Sequence, residues 1–119
     1  MNASPFRQMH VNELYPRWLV ARENSRKFHL IDVRTPAEHA RVQVPDSRLL
    51  PLSALSARIN EVPRNDEVYL ICHSGARSAR AADFLVRQFG YDNLINVEGG
   101  VVAWIQAGYP VIHQERRMP

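Results

Sequence analysis

The sequence predicts an α/β fold in which a mostly parallel sheet is covered by helices on both faces, and three observations support this. Strand-length apolar runs alternate with segments of helical period along the chain. The runs Phe28–Val33 and Val68–Ile71 are apolar over most of their length, as strands buried on both faces are. Both end on residues that carry chemistry, Asp32-Val33-Arg34 and Cys72, and open α/β sheets place their sites at the C-terminal ends of strands. With 119 residues the chain can bury one real core but not two. One domain over residues 1–119 is expected, its core at about 10–112 and a loose polar tail over 113–119.

The elements follow in order. Asn12 to Arg22 has helical character, and Pro16, tolerated only in a first turn, draws the expected start toward Tyr15. Phe28 to Val33 is a strand. Thr35-Pro36-Ala37-Glu38 then supplies an N-cap, a proline at the first helical position and an acidic first turn. Arg48-Leu49-Leu50 is a brief strand, and Ser53 to Asn60 reads as a helix capped by Ser53. Pro63 to Asp66 is a turn into the strand Glu67 to Ile71. Ser78 to Gln88 has the clearest helical pattern: Ser78, Ala81, Ala82, Leu85, Val86 and Phe89 share a face, and Gly90 is the C-cap. Leu94 to Val97 is a further strand, and Val101 to Gln106 a short helix stopped by Gly108-Tyr109-Pro110. Internal repeats, low-complexity segments and linkers are absent.

Composition narrows the function. The net charge is +3, and the basic residues are arginines apart from Lys27, which fits a genomic bias toward Arg over Lys or, alternatively, a surface or pocket tuned for anions. They are dispersed, without a basic stripe or recognition motif, so nucleic acid is not an expected partner. No apolar run approaches the ~20 residues that span a bilayer, so no membrane is expected. No secretory signal is visible in Met1 to His10, and the one cysteine cannot form an internal disulfide, so the cytoplasm is the expected location.

That cysteine is the most informative residue. Cys72 ends an apolar strand and is followed by His73-Ser74-Gly75-Ala76-Arg77-Ser78, a small-residue loop aimed at a helix start. Amides of the loop and of the first helical turn favour a thiolate, and Arg77 adds a positive charge at the loop's far end. Gly75 can take backbone angles closed to larger residues. A redox pair needs a second cysteine, and His10, His29, His39 and His113 show neither the signature of a cysteine protease nor the spacing of metal ligands. No metal or cofactor is expected. Phosphatases and arsenate reductases of the Cys-loop design place five residues between Cys and Arg; here four intervene, a tighter cradle suited to the outer sulfur of a persulfide.

From about Leu14 to Val111 the chain resembles the single-domain rhodaneses. Asp32-Val33-Arg34 with Glu38, the loop from Cys72 to Ser78, and Glu98-Gly99-Gly100 through Trp104 to Gly108-Tyr109-Pro110-Val111 are similar to that family's three motifs, in order. The resemblance implies a three-layer α/β sandwich with about five mostly parallel strands. It also implies a sulfurtransferase with ping-pong chemistry. Cys72 would take sulfane sulfur from a small anionic donor such as thiosulfate and pass it, as a persulfide, to cyanide or a thiol. Amides from His73 to Ser78 would stabilise the persulfide, and Arg77 would bind the donor or brace the loop. Asp32 and Arg34 are expected to pair and tie loops together rather than touch substrate. Gly99, Gly100 and Trp104 are expected in turn and packing roles, and His39 on an exposed helix surface. A sulfur-relay protein is a compatible partner. The alternatives are a non-catalytic interaction module and a Cys-loop phosphatase or arsenate reductase.

Two departures from the pattern stand out. His73 occupies a position often filled by Arg or Lys, which allows a donor less anionic than thiosulfate. Asp46 stands where a turn glycine is usual, and Asp tolerates left-handed backbone better than most residues.

Overall fold

The computed structural model describes residues 5–114. Its elements are β1 (Arg7–His10), α1 (Val11–Glu23), β2 (His29–Asp32), α2 (Pro36–Arg41), β3 (Val42–Gln43), β4 (Arg48–Leu49), β5 (Val68–Ile71), α3 (Ala76–Phe89), β6 (Leu94–Glu98), α4 (Gly100–Gln106) and β7 (Ile112–His113). The sheet has five strands in the order β1-β6-β5-β2-β4, every pair parallel. Central β5 is buried throughout, as the apolar run Val68–Ile71 requires.

Alternation along the strands sorts the core into two layers. Ile31, Leu70 and Leu94 face one cluster with Ala81, Ala82 and Leu85 of α3. Leu30, Ile71, Ile95 and Val97 face the other, with Leu14 and Trp18 of α1 and Trp104 of α4. Helices therefore cover both faces, and every parallel strand delivers its C-terminal end to one edge of the molecule.

The structure departs from the sequence expectations in identifiable places. Edge strand β1 was not foreseen: only Met9 of its four residues is buried, so the apolar signal is missing. Pro16 lies inside α1, not in its first turn; His10 caps the helix by accepting the Asn12 N–H, and burial of Val11, Leu14, Trp18 and Ala21 holds it together. The stretch Ser53 to Asn60 is not an α-helix. It forms short 3-10 turns at Leu52–Ala54 and Ile59–Glu61, with no side-chain cap and with Arg58 at φ −117°, ψ 31° between them. Leu52, Leu55, Ile59 and Val62 still pack into the α3-side cluster, which explains their helix-like spacing. Helix α3 starts at Ala76 rather than Ser78, and Gly90 caps it at φ 70° as expected. Asp46 takes the left-handed region at φ 69° and binds Arg22 through its carboxylate at 2.8 Å. His113 and Gln114 are not loose: β7 pairs antiparallel with β3, and the Gln114 N–H donates to the Arg41 carbonyl. The remainder of the expected tail lies outside the described residues.

Candidate active site

Cys72 follows the last residue of β5 and is 1% exposed. The chain then leaves the sheet through His73 and Ser74, both exposed, and reaches Gly75 at φ 111°. That angle is open to glycine, and it turns the Gly75 N–H back onto the sulfur, at 3.1 Å from Sγ. One turn into α3, the buried Ser78 hydroxyl lies 3.2 Å from the same sulfur. Burial acts to raise the thiol pKa. The Ser78 hydroxyl and amide and the Gly75 and Ser74 amides outweigh it, and the pKa falls below that of a free thiol.

Arg77 points to α2. Its guanidinium makes a bidentate pair with Glu38 of α2, at 2.7 and 2.8 Å. The Arg77 hydrogen bonds hold the Glu38 carboxyl down at about 2. Glu38 also closes a capping box with Thr35. The charge expected to favour the thiolate is thus engaged by a carboxylate, and the donors bonded to the sulfur come from the loop and α3. Arg77 bridges α2 to the start of α3.

The other side of the loop rests on α4. The carbonyls of Cys72 and His73 accept the N–H groups of Val101 and Val102, at 2.9 and 3.0 Å. This close approach requires Gly100: a Cβ there would lie 2.5 Å from both carbonyl oxygens. Gly99 and Gly100 form the turn into α4, and buried Trp104 anchors that helix by donating its indole N–H to the Pro110 carbonyl. These residues act through packing and backbone, as their motif suggested.

Asp32 and Arg34 also tie structure together. They are 0% and 3% exposed, and Arg34 donates to both Asp32 carboxylate oxygens and to the Val42 carbonyl. The pair fastens the end of β2 to β3 and presents no free face to a ligand. His39 is not an exposed helix residue; it is half-buried, with Nε2 3.2 Å from the Ser47 hydroxyl and Nδ1 beside the Gln43 amide. Among the described residues no group of three or more His, Cys, Asp or Glu could hold a metal ion, and no helix is long and apolar enough to cross a membrane.

The sequence reading gave Glu38 no part in the site, because its partner Arg77 lies 39 residues away. Val101 and Val102 are expected only as apolar residues near the site, on a pocket rim or partner surface; their contact is through backbone N–H groups, which leave no mark in the residue pattern. Asn96, whose side chain reaches the loop, carried one signal: a polar residue inside an apolar strand.

A thiol at the end of a central parallel strand, beside the amides of a loop entering a helix, defines a Cys-loop α/β domain. The chain belongs to the rhodanese-like domain family, which it matches over residues 15–107. It is 41% identical over 86 residues to a sulfurtransferase of Allochromatium vinosum, a match covering 72% of this chain and 79% of that one. It is 33% identical over 87 residues to an adenylyltransferase and sulfurtransferase of Ogataea parapolymorpha, covering 70% of this chain and 22% of that much longer one. A crystal structure of a rhodanese-related protein from Thermoplasma volcanium superposes with a TM-score of 0.75 at 34% identity, covering 92% of this chain and 100% of the other.

Proposed function

We propose that this protein is a sulfurtransferase that carries sulfane sulfur on Cys72. The observation that supports this most directly is the sulfur's own environment: a buried Sγ that accepts from the Gly75 amide and the Ser78 hydroxyl at the end of β5. The Cys72 thiolate attacks the outer sulfur of a donor such as thiosulfate. The donor's S–S bond breaks, sulfite leaves with the electron pair, and Cys72 becomes a persulfide. Cyanide or a thiolate then attacks the outer sulfur, the persulfide S–S bond breaks, and the Cys72 thiolate returns. Neither half-reaction needs a second cysteine, metal or cofactor.

The loop serves both halves. Its amides offer hydrogen bonds to the negative outer sulfur once the persulfide forms. Because Arg77 is held by Glu38, a donor's oxyanion would meet loop amides and the exposed His73 rather than a free guanidinium. This favours donors less charged than thiosulfate, persulfides among them. The Ogataea parapolymorpha relative, in which a similar segment is a fifth of a larger adenylyltransferase and sulfurtransferase, makes a sulfur-relay partner in the cytoplasm a fitting acceptor.

Intact-mass measurement after incubation with thiosulfate or glutathione persulfide tests the proposal. Wild type should gain one sulfur atom, cyanide should remove it, and Cys72→Ser should gain none. No gain from either donor would leave a non-catalytic interaction module as the better reading.

A further inference from the structure

We infer that Asn96 is a positioning residue that sets the reactivity of Cys72 by holding the Gly75 carbonyl, so that the Ser78 hydroxyl keeps its proton for the sulfur. The inference rests on the proposed role of Cys72 as sulfur carrier.

Asn96 is out of place by the logic of its strand. In β6, Ile95 and Val97 point into the α1 and α4 core, while Leu94 points into the α3 core. Asn96 shares the face of Leu94 and is 3% exposed. An apolar side chain there would extend the Leu94 cluster. Instead the amide is buried with its Oδ1 bonded to nothing, a desolvation cost with no return in stability.

The other end of the amide shows what it does. Asn96 Nδ2 donates to Gln8 Oε1 at 2.8 Å and to the Gly75 carbonyl at 3.3 Å. A peptide carbonyl only accepts, so the nitrogen must be the atom facing Gly75. The Gly75 carbonyl has two lone pairs and three candidate donors: the Ala79 N–H at 3.1 Å, Asn96 Nδ2, and the Ser78 hydroxyl at 3.2 Å. The Ser78 hydroxyl has one proton and two acceptors in reach, that carbonyl and Cys72 Sγ at 3.2 Å. With Ala79 and Asn96 filling the carbonyl, the Ser78 proton goes to the sulfur, where it stabilises the thiolate. Asn96 also fixes the peptide plane that precedes α3, and with it the loop whose Gly75 N–H points at Sγ.

The test is the pH profile of Cys72 alkylation by iodoacetamide in wild type, Asn96→Leu, Ser78→Ala and the double variant. Alkylation reads the thiol alone, so its outcome is independent of whether sulfur is transferred. Asn96→Leu should raise the thiol pKa by about one unit, roughly a tenfold loss of the thiolate fraction below both pKa values. The shift should shrink by at least half in the Ser78→Ala background. An unchanged profile in folded Asn96→Leu, or an equal shift in both backgrounds, overturns the inference. Should Asn96→Leu not fold, the wild-type Asn96 side-chain amide signals decide by NMR. They should move with the ionisation of Cys72 and stay flat over that range in Cys72→Ser; flat signals in wild type overturn it.

Discussion

A buried sulfur ordinarily resists ionisation, and at Cys72 burial does push the thiol pKa upward. The balance is reversed by donors aimed at one atom. Each is a short-range hydrogen bond to a developing anion, stronger than a neutral bond and insensitive to bulk salt. The Ser78 hydroxyl is the foremost of these. Ser78→Ala should therefore raise the thiol pKa by about one to two units, since a hydrogen bond to a charged group contributes roughly 1.5–3 kcal/mol. The pH dependence of the iodoacetamide rate measures it, as a shift of the inflection to higher pH. A profile that does not move would show that the backbone amides alone hold the thiolate.

Elements hold the loop from both sides. Helix α3 begins at Ala76, after the Gly75 cap, and supplies Ser78, while α4 begins against the Cys72 and His73 carbonyls. Two helix N-termini thus meet at one strand end, and their N–H groups are used in different ways. Those of the α3 approach face the sulfur, and those of α4 hold the loop's carbonyls. The geometry depends on Gly100, where a methyl group would sit 2.5 Å from two backbone oxygens. Gly100→Ala should push α4 away from the loop, lowering stability by about 2–4 kcal/mol and reducing sulfur loading together. A denaturant midpoint and the intact-mass assay check both. Gly90→Ala is the control: nothing lies within 4 Å of a Cβ there, and only the left-handed angle at φ 70° is strained.

At the scale of the whole molecule, the pair Glu38–Arg77 joins α2, which buries no side chain of its own, to the helix that carries the site. Its contribution to folding follows pH. The Glu38 pKa lies at about 2 in the folded state against an ordinary 4.5. A depressed carboxylate stabilises the fold above its ordinary pKa, and that stability is lost as pH falls from about 4.5 toward 2. Both side chains are about a third exposed (32% and 33%), so solvent screening reduces the effect to about 1 kcal/mol. The stability gap between wild type and Glu38→Gln, measured by denaturant titration, should close as pH is lowered from about 6 to about 2.5. A gap that persists in acid would assign the loss to packing.

The sequence by itself determined whatever is written locally. Apolar runs of strand length, helix stop signals at Gly90 and Gly108, and a thiol at a strand end beside a glycine loop are patterns within a few residues. They specify the layered α/β fold, the place of Cys72 and the backbone freedom of its loop. Asp46 was legible for the same reason, since tolerance of a left-handed angle belongs to the residue type. Tertiary structure decided whatever depends on partners far apart in the chain. It recruited the exposed strand Arg7–His10 to the sheet edge and reduced the Ser53–Asn60 region to 3-10 turns. It also gave the Arg77 charge to Glu38 and brought Asn96 beneath Gly75. Local propensity and periodicity act over a turn or a strand. Where a side chain's charge or proton goes is settled by which elements pack together, and only the folded chain contains that information.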